Sequence, residues 1–163
     1  MRSLSLLLAL SLLPARARAE GSTLSSVKVG ACALLTAADA QRVSNVPMEV
    51  QADAPGNDSP GRSCVYRPAR PGPGRGTVQL RLLDAREWSH LKAEADASRL
   101  EIEGVKGLGD EAYVIRRRSA RRAGALVLFV RRGHSQFSVR FAGAGLELTD
   151  PMKQLARSVA GRL

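Results

Sequence analysis

The chain has 163 residues, a formal net charge of +10 and 44% hydrophobic residues. That length is typical of one domain with a single core, and the hydrophobic content excludes an intrinsically disordered chain. Aromatic residues make up only 4%, so we expect a core of leucine, valine, isoleucine and alanine.

The first nineteen residues have the pattern of an export signal. Met1-Arg2 is a positive start, residues 3–13 are almost entirely leucine, alanine and serine, and Ala17 and Ala19 precede the expected cleavage site. The apolar run of about ten residues is shorter than the roughly twenty that span a bilayer. We therefore predict a signal peptide over 1–19, export to the periplasm or the extracellular medium, and no transmembrane segment. Cleavage removes three arginines and no acidic residue, which lowers the net charge from +10 to +7.

Cys32 and Cys64 are the two cysteines of the chain. In an exported protein an even number of cysteines favours a disulfide, and two cysteines allow one intramolecular pairing. The alternatives are two free thiols, metal ligation, or a lipid anchor on Cys32, because Val29-Gly30-Ala31-Cys32 resembles a lipoprotein cleavage box. That box lies far from the apolar run. For a metal only His90 and His134 could join the cysteines, and neither has a zinc-like spacing to them, so we expect no metal and no cofactor.

Residues 20–31 are interpreted as a flexible leader to a single domain over 32–163. Its first helix is expected over 34–43, with Thr36 as the N-cap and Asp39 in a capping-box position.

Apolar or alternating segments between turn residues predict six strands. These are residues 48–50, 63–67, 77–83, 112–116, 125–130 and 136–141. Residues 104–110, between two of the expected elements, contain Gly107-Leu108-Gly109. We interpret this segment as a turn with unusual backbone angles and not as a phosphate loop, because a strand follows it where a phosphate loop needs a helix.

Two further helices are expected. The first runs over 85–99, with Asp84 as its N-cap and a core-facing stripe of Trp88, Leu91 and Ala95. The second opens at Asp150-Pro151, with Asp150 as its N-cap and Pro151 at the first helical position. Its apolar stripe is Met152, Leu155, Val159 and Leu163.

The order of these elements is helix, strands, helix, strands, helix. Short turns between the late strands favour antiparallel pairing. The predicted fold class is therefore α+β, with helices packed on one or more faces of an antiparallel sheet in a single domain.

Several short segments recur together in a known arrangement. In chain order they are Cys32-Ala33-Leu34-Leu35-Thr36, Asp39-Ala40, Cys64-Val65-Tyr66, Val105-Lys106-Gly107-Leu108-Gly109-Asp110-Glu111-Ala112, Leu126-Val127-Leu128, Gly133, Phe137 and Leu155-Ala156-Arg157. The pattern resembles a poorly characterised family of bacterial exported proteins and lipoproteins from actinobacterial cell envelopes. It is more distantly similar to the extracellular sensor domains of mycobacterial serine/threonine kinases. The resemblance implies an α+β sandwich around one antiparallel sheet, a Cys32–Cys64 bridge and a non-enzymatic envelope role.

The most prominent polar feature is a run of five arginines where a hairpin should reverse. They are Arg116, Arg117, Arg118, Arg121 and Arg122. Antiparallel geometry should place Arg140 near the same end of the sheet and Arg131-Arg132 at the opposite end. The functional hypothesis is an anion-binding patch for phosphate-bearing lipid headgroups, acidic polysaccharide or an acidic protein. The alternative is a solvated loop whose arginines only maintain solubility.

The sequence thus favours a non-enzymatic exported binding or accessory module of the bacterial cell envelope, acting on an envelope protein or an anionic envelope component. Alternatives are a hydrolase whose site assembles only in three dimensions, and a structural subunit of a larger complex. Specific nucleic-acid binding is not expected, because the basic segments lack aromatic residues for base stacking. An open cleft between sheet and helices, lined by leucine, valine and Trp88, would indicate a small apolar or amphiphilic ligand.

Overall fold

A computed structural model of the protein describes residues 29–51, 61–72, 75–98, 100–116, 124–143 and 147–163. The predicted signal peptide and most of the predicted leader lie outside these ranges. The described residues form helices and strands in the order α1 (Ala31–Leu34), α2 (Ala37–Ser44), β1 (Met48–Gln51), β2 (Ser63–Pro68), β3 (Thr77–Leu83), α3 (Ala85–Ala97), β4 (Glu101–Gly104), β5 (Glu111–Arg116), β6 (Gly124–Arg132), β7 (Ser135–Gly143) and α4 (Asp150–Arg162).

The seven strands form one sheet in the order β1-β2-β3-β7-β6-β5-β4, and every neighbouring pair is antiparallel. This confirms the predicted α+β class with an antiparallel sheet. Because side chains alternate between the two faces of a strand, each strand contributes to both faces. We call the face that carries Leu80, Leu128 and Val139 the first face, and the face that carries Tyr113 and Phe129 the second face.

Helices α1, α2 and α4 pack on the first face and form the larger core. Phe137, Phe141 and Leu80 of the sheet are almost completely buried there, together with Leu34 of α1 and Leu155 of α4. Burial of each such side chain contributes roughly 1.5–3 kcal/mol. Most of the fold's hydrophobic stabilisation therefore lies on this side of the sheet.

Helix α3 packs on the second face through the predicted stripe. Trp88 and Ala95 are buried and Leu91 is half-buried. The Trp88 ring meets the rings of Tyr113 and Phe129 edge-on, with centroid distances of 5.3 and 6.2 Å. Such aromatic pairs stabilise beyond the area they bury, so this contact fixes α3 above β5 and β6.

The two cysteines form the predicted disulfide. The Cys32 and Cys64 Cα atoms lie 5.0 Å apart, and the bond joins α1 to β2. A loop of this length contributes roughly 3–4 kcal/mol in the chain-entropy description of disulfide stabilisation. Free thiols, metal ligation and a lipid anchor are excluded for these two sulfur atoms.

The first expected helix is two helices in the structure. Leu34 ends α1, Thr36 caps α2, and the extended backbone of Leu35 separates them. Ala31 was assigned to the leader, but it is completely buried. The packed domain therefore includes Ala31.

Strand β4 was not predicted, and residues 101–104 were partly assigned to a turn. Ile102 is the only large apolar residue in Glu101–Gly104, and this strand lies at the edge of the sheet, where it pairs only with β5. Weak hydrophobic patterning of this kind is common in edge strands.

The start and end of α4 also differ from expectation. Its N-cap is Thr149 and not Asp150, so Pro151 occupies the second helical position. Leu163 is 45% exposed and does not join the apolar stripe, which consists of Met152, Leu155 and Val159.

The glycine-rich segment before β5 is a turn, as predicted. Gly107 and Gly109 have φ values of 75° and 66°, in the left-handed region that favours glycine. A Cβ atom on Gly109 would lie 2.4 Å from the carbonyl oxygen of Arg131. Close approach of the two backbones therefore requires glycine at this position.

Asp39 links the beginning of α2 to the end of α4. The predicted capping box with Thr36 is present, and Arg162 Nη1 donates to Asp39 Oδ2 at 2.7 Å and to the Leu34 carbonyl at 2.6 Å. Burial alone would raise the pKa of Asp39, but the hydrogen bonds from Arg162 and Thr36 outweigh burial and lower that pKa below its usual value. The ionised carboxylate therefore stabilises the packing of α4 against α1 and α2.

We expect Asp39→Asn to lower the free energy of unfolding by about 2–3 kcal/mol at neutral pH, because the Arg162 guanidinium loses its carboxylate. The lowered pKa means that this contribution is complete above about pH 4 and is lost as the pH falls through the folded-state pKa. Urea unfolding should therefore show a smaller deficit in acid. Asp150→Asn, at a carboxylate that is 86% exposed, is the matched control and should have little effect. An Asp39→Asn deficit that is equal at neutral and acid pH would contradict this account.

Candidate functional site

An open cleft lies between α3 and the second face of the sheet. It has two adjoining basins of about 370 and 330 Å³, within the range of about 300–1,000 Å³ that is typical of small-molecule sites. Both basins are lined by Leu91, Val127, Phe129 and Arg140. We call the two basins together the α3 cleft.

Three neighbouring strands form the centre of the cleft floor. Arg140 of β7 lies in register between Val127 of β6 and Gln79 of β3. Adjacent strands are about 4.8 Å apart. Arg140 therefore has an apolar neighbour, Val127, on one side and a polar neighbour, Gln79, on the other. Leu91 and Ala95 of α3 form the facing wall.

The two basins differ in chemistry. The basin under α3 is mostly apolar, and its apolar lining is Leu91, Ala95, Leu100, Ile115, Ala125, Val127 and Phe129. Glu94 and Ser98 of α3 line the same basin. The adjoining basin over β3 and β7 adds polar side chains, namely Gln79, Arg81 and Ser138.

Arg140 is the cation on the floor of the cleft that is available to a ligand. It is exposed, and within the part of the chain that the structure describes its side chain forms neither a hydrogen bond nor an ion pair. By contrast, Arg81 Nη2 lies 3.0 Å from Glu87 Oε1. An arginine keeps its charge at every physiological pH and offers a planar set of donors that suits carboxylate or phosphate. Arg140 is therefore available to an anion that enters the cleft.

A polar network fixes the beginning of α3 and with it the cleft wall. Asp84 and Glu87 form a reciprocal capping box, with N–H···O distances of 2.8 and 2.9 Å, which confirms Asp84 as the N-cap. The backbone N–H of Glu87 and the charge of Arg62 lower the pKa of Asp84. Glu87 also accepts hydrogen bonds from Arg62, the residue before β2, and from Arg81 of β3, so its carboxylate links both strands to the beginning of α3.

Arg116 is the one residue of the predicted arginine patch that lies within the described ranges. Arg116 ends β5, and its Nη2 atom lies 2.9 Å from Oε2 of Glu103 on β4. By strand alternation Arg116 shares the first face with Val114, whereas Arg140 lies on the second face. The other four arginines of the patch, Arg117, Arg118, Arg121 and Arg122, lie outside the described residues.

The strand register confirms the predicted ends of the sheet. Arg116 pairs with Leu126, which pairs with Phe141, so Arg140 is one residue away from the level of Arg116. Arg131 pairs with Gln136 at the opposite end. Arg140 therefore lies near the end of the sheet at which Arg116 ends β5.

Other candidate residues take structural or surface positions. Trp88 anchors α3, as predicted, and is not among the residues that line the cleft. The His90 side chain is 76% exposed, with Nε2 4.0 Å from Glu94 Oε2. Across the described ranges, no group of three or more His, Cys, Asp and Glu residues could hold a metal ion. No described helix is long and apolar enough to cross a membrane.

Sequence reasoning placed Arg140 at the correct end of the sheet but did not identify the cleft. The available signal was the second-face side of β7, where Gln136, Ser138 and Arg140 alternate with buried phenylalanine and valine. On the second face, β7 carries polar residues next to Val127 and Phe129 of β6. This change in polarity between neighbouring strands indicates that the apolar covering of the second face is incomplete.

No protein-family model, curated protein or solved structure matches this chain significantly.

Replacement of Arg140 should leave the fold intact. We expect Arg140→Gln to change the free energy of unfolding by less than about 0.5 kcal/mol, because the substitution breaks no ion pair. Arg162→Gln is the contrasting variant and should cost about 2 kcal/mol, because buried Asp39 loses a charged donor. Urea unfolding measures both. A loss well above 1 kcal/mol for Arg140→Gln would mean that the fold itself uses this guanidinium.

Proposed function

We propose that this chain is a non-enzymatic binding module of the bacterial cell envelope that recognises an anionic ligand through the α3 cleft. The observation that carries the proposal is Arg140, an exposed cation without an ion-pair partner among the described residues, on the floor of an open cleft. Anionic ligands bind arginine through charge-assisted hydrogen bonds, which are about twice as strong as neutral ones.

The charge of the whole chain supports the same function. A net charge of +10, or +7 after loss of residues 1–19, attracts anions over distances longer than a single contact. Arg117, Arg118, Arg121 and Arg122 follow within six residues of Arg116 in the sequence, and Arg116 ends β5 one residue from the level of Arg140. We propose that they raise the positive potential at the cleft and so speed the approach of the ligand.

The proposed compartment is the envelope. The Cys32–Cys64 disulfide is consistent with an oxidising, non-cytoplasmic compartment, because such bonds are rare in the reducing cytosol. Residues 1–19 have the composition of an export signal, and the resemblance to exported actinobacterial envelope proteins points in the same direction. Export to the periplasm or the extracellular medium is part of the proposal.

Titration with anilinonaphthalene sulfonate, an anionic dye that fluoresces in apolar surroundings, tests this function. We expect saturable binding to the native protein and an affinity about tenfold lower for Arg140→Gln, since a charge-assisted contact contributes about 1.5–3 kcal/mol. Arg86→Gln is the matched control. It removes the same charge from an exposed position on α3 that does not line the cleft, and it should bind like the native protein.

A variant in which the arginines at 116, 117, 118, 121 and 122 are all serine separates cleft binding from hairpin binding. The proposal predicts a modest, salt-sensitive loss for this variant and the larger loss for Arg140→Gln. Complete loss in the serine variant with normal binding by Arg140→Gln would overturn the cleft as the site. Unchanged affinity in both variants would overturn anion recognition altogether.

A further inference from the structure

We infer that the ligand of the α3 cleft is a single-chain amphiphile with one anionic head group, such as a fatty acid or a lysophospholipid. Its head group binds Arg140 and its hydrocarbon chain lies in the apolar basin under α3. This inference rests on the proposed function and names the chemical class that the site selects.

Apolar lining occurs in the same cleft as a cation that has no ion-pair partner among the described residues. Val127 and Phe129 of β6 and Leu91 of α3 line both basins together with Arg140. A small inorganic anion would use Arg140 and leave this apolar surface in contact with water. A neutral hydrocarbon would cover the surface and leave the guanidinium unused. An anionic amphiphile pairs with the guanidinium and also removes the apolar lining from contact with water.

The other half of the cleft, over β3 and β7, is polar. Gln79, Ser138 and Arg81 line the basin next to Arg140, and Gln79 Nε2 is held by a 2.9 Å hydrogen bond to Ser63 Oγ. Amide and hydroxyl groups beside a cation suit the oxygen atoms of a carboxylate or phosphate head. The polarity of the floor therefore changes from β6 to β3 as the polarity of an amphiphile changes from tail to head.

The size of the apolar basin and the charges that line it further restrict the ligand. About 370 Å³ is near the lower end of the volumes of small-molecule sites, which favours one hydrocarbon chain over two. Glu94 lines the apolar basin from α3, and its carboxylate disfavours an anionic head on that side. The head is thereby directed toward Arg140.

Isothermal titration of the native protein with four probes below their critical micelle concentrations tests the inference. Dodecanoate carries the chain and the charge, acetate only the charge, and dodecyl maltoside only the chain. Lysophosphatidylglycerol carries the chain on a phosphate head. We expect dodecanoate to bind one per chain, and acetate and the maltoside to bind at least about tenfold more weakly. Comparison of dodecanoate with lysophosphatidylglycerol identifies which of the two head groups the site prefers.

Variants connect the binding to the cleft. Arg140→Gln should weaken dodecanoate about tenfold and leave the maltoside unchanged, whereas Leu91→Gln should weaken both, and Arg86→Gln neither. Thermal unfolding checks that each variant is folded. If Leu91→Gln does not fold, Val127→Phe, which fills the basin without adding a polar group, should reduce the affinity for every probe with a chain.

The outcomes separate this inference from the proposed function. Equal affinity for acetate and dodecanoate would overturn the amphiphile and leave anion recognition in place. Equal affinity for the maltoside and dodecanoate would overturn the requirement for an anionic head. Binding of the anionic dye without binding of dodecanoate or lysophosphatidylglycerol would overturn the ligand class alone, and failure of the native protein to bind any of these probes would overturn both proposals.

Discussion

Incomplete covering of the second face of the sheet is the constraint on which the α3 cleft depends. Seven strands about 4.8 Å apart make a sheet roughly 29 Å wide, whereas one helix with its side chains is about 10–12 Å across. Of the described helices three pack on the first face, and α3 is the one that packs on the second. One helix of that diameter covers little more than two strands at any one level of the sheet, so part of the second face stays open. Leu83, at the end of β3, is buried in the cluster that contains Trp88, whereas Arg140, four residues along β7 from the strand partner of Leu83, is exposed in the cleft.

The contacts that stabilise the fold and the proposed binding site lie mainly on opposite faces of the sheet. The first face holds the disulfide between Cys32 and Cys64, the larger hydrophobic core, and the contact of Arg162 with Asp39, which joins residues 123 positions apart. The second face is held mainly by the aromatic contacts of Trp88. Because the fold is secured from the opposite side, side chains near α3 are free to serve a ligand without a large loss of stability.

Local signals in the sequence were sufficient for most of the fold. Four of these signals depend on near neighbours and were predicted correctly: the capping box at Thr36, the N-cap at Asp84, the stripe on α3 and the alternation in β3. The reciprocal bond from Asp84 to the Glu87 side chain was not predicted. Strand β4 was missed because Ile102 stands alone among polar residues and glycine. The same omission concealed the partner of Arg116, since Glu103 belongs to that strand.

The candidate site depended on information that local patterns do not contain. Periodicity shows which side of α3 faces the sheet, but it does not show over which strands the helix lies. That lateral position is set by Trp88 meeting Tyr113 and Phe129, which are distant in sequence. The five arginines of the predicted patch are recognisable from the sequence because they lie within seven residues, whereas the significance of Arg140, a single cation, depends on the apolar residues beside it in the cleft.

The role of Arg140 as the ligand-binding cation is tested most directly by nuclear magnetic resonance of nitrogen-labelled protein during titration with dodecanoate. We predict that the Nε–H signal of Arg140 shifts together with the backbone amides of α3 and of residues 125–129, with one common dissociation constant, while the amides of α4 stay in place. An unmoved Arg140 signal, with shifts confined to the first face or to residues 117–123, would contradict this role.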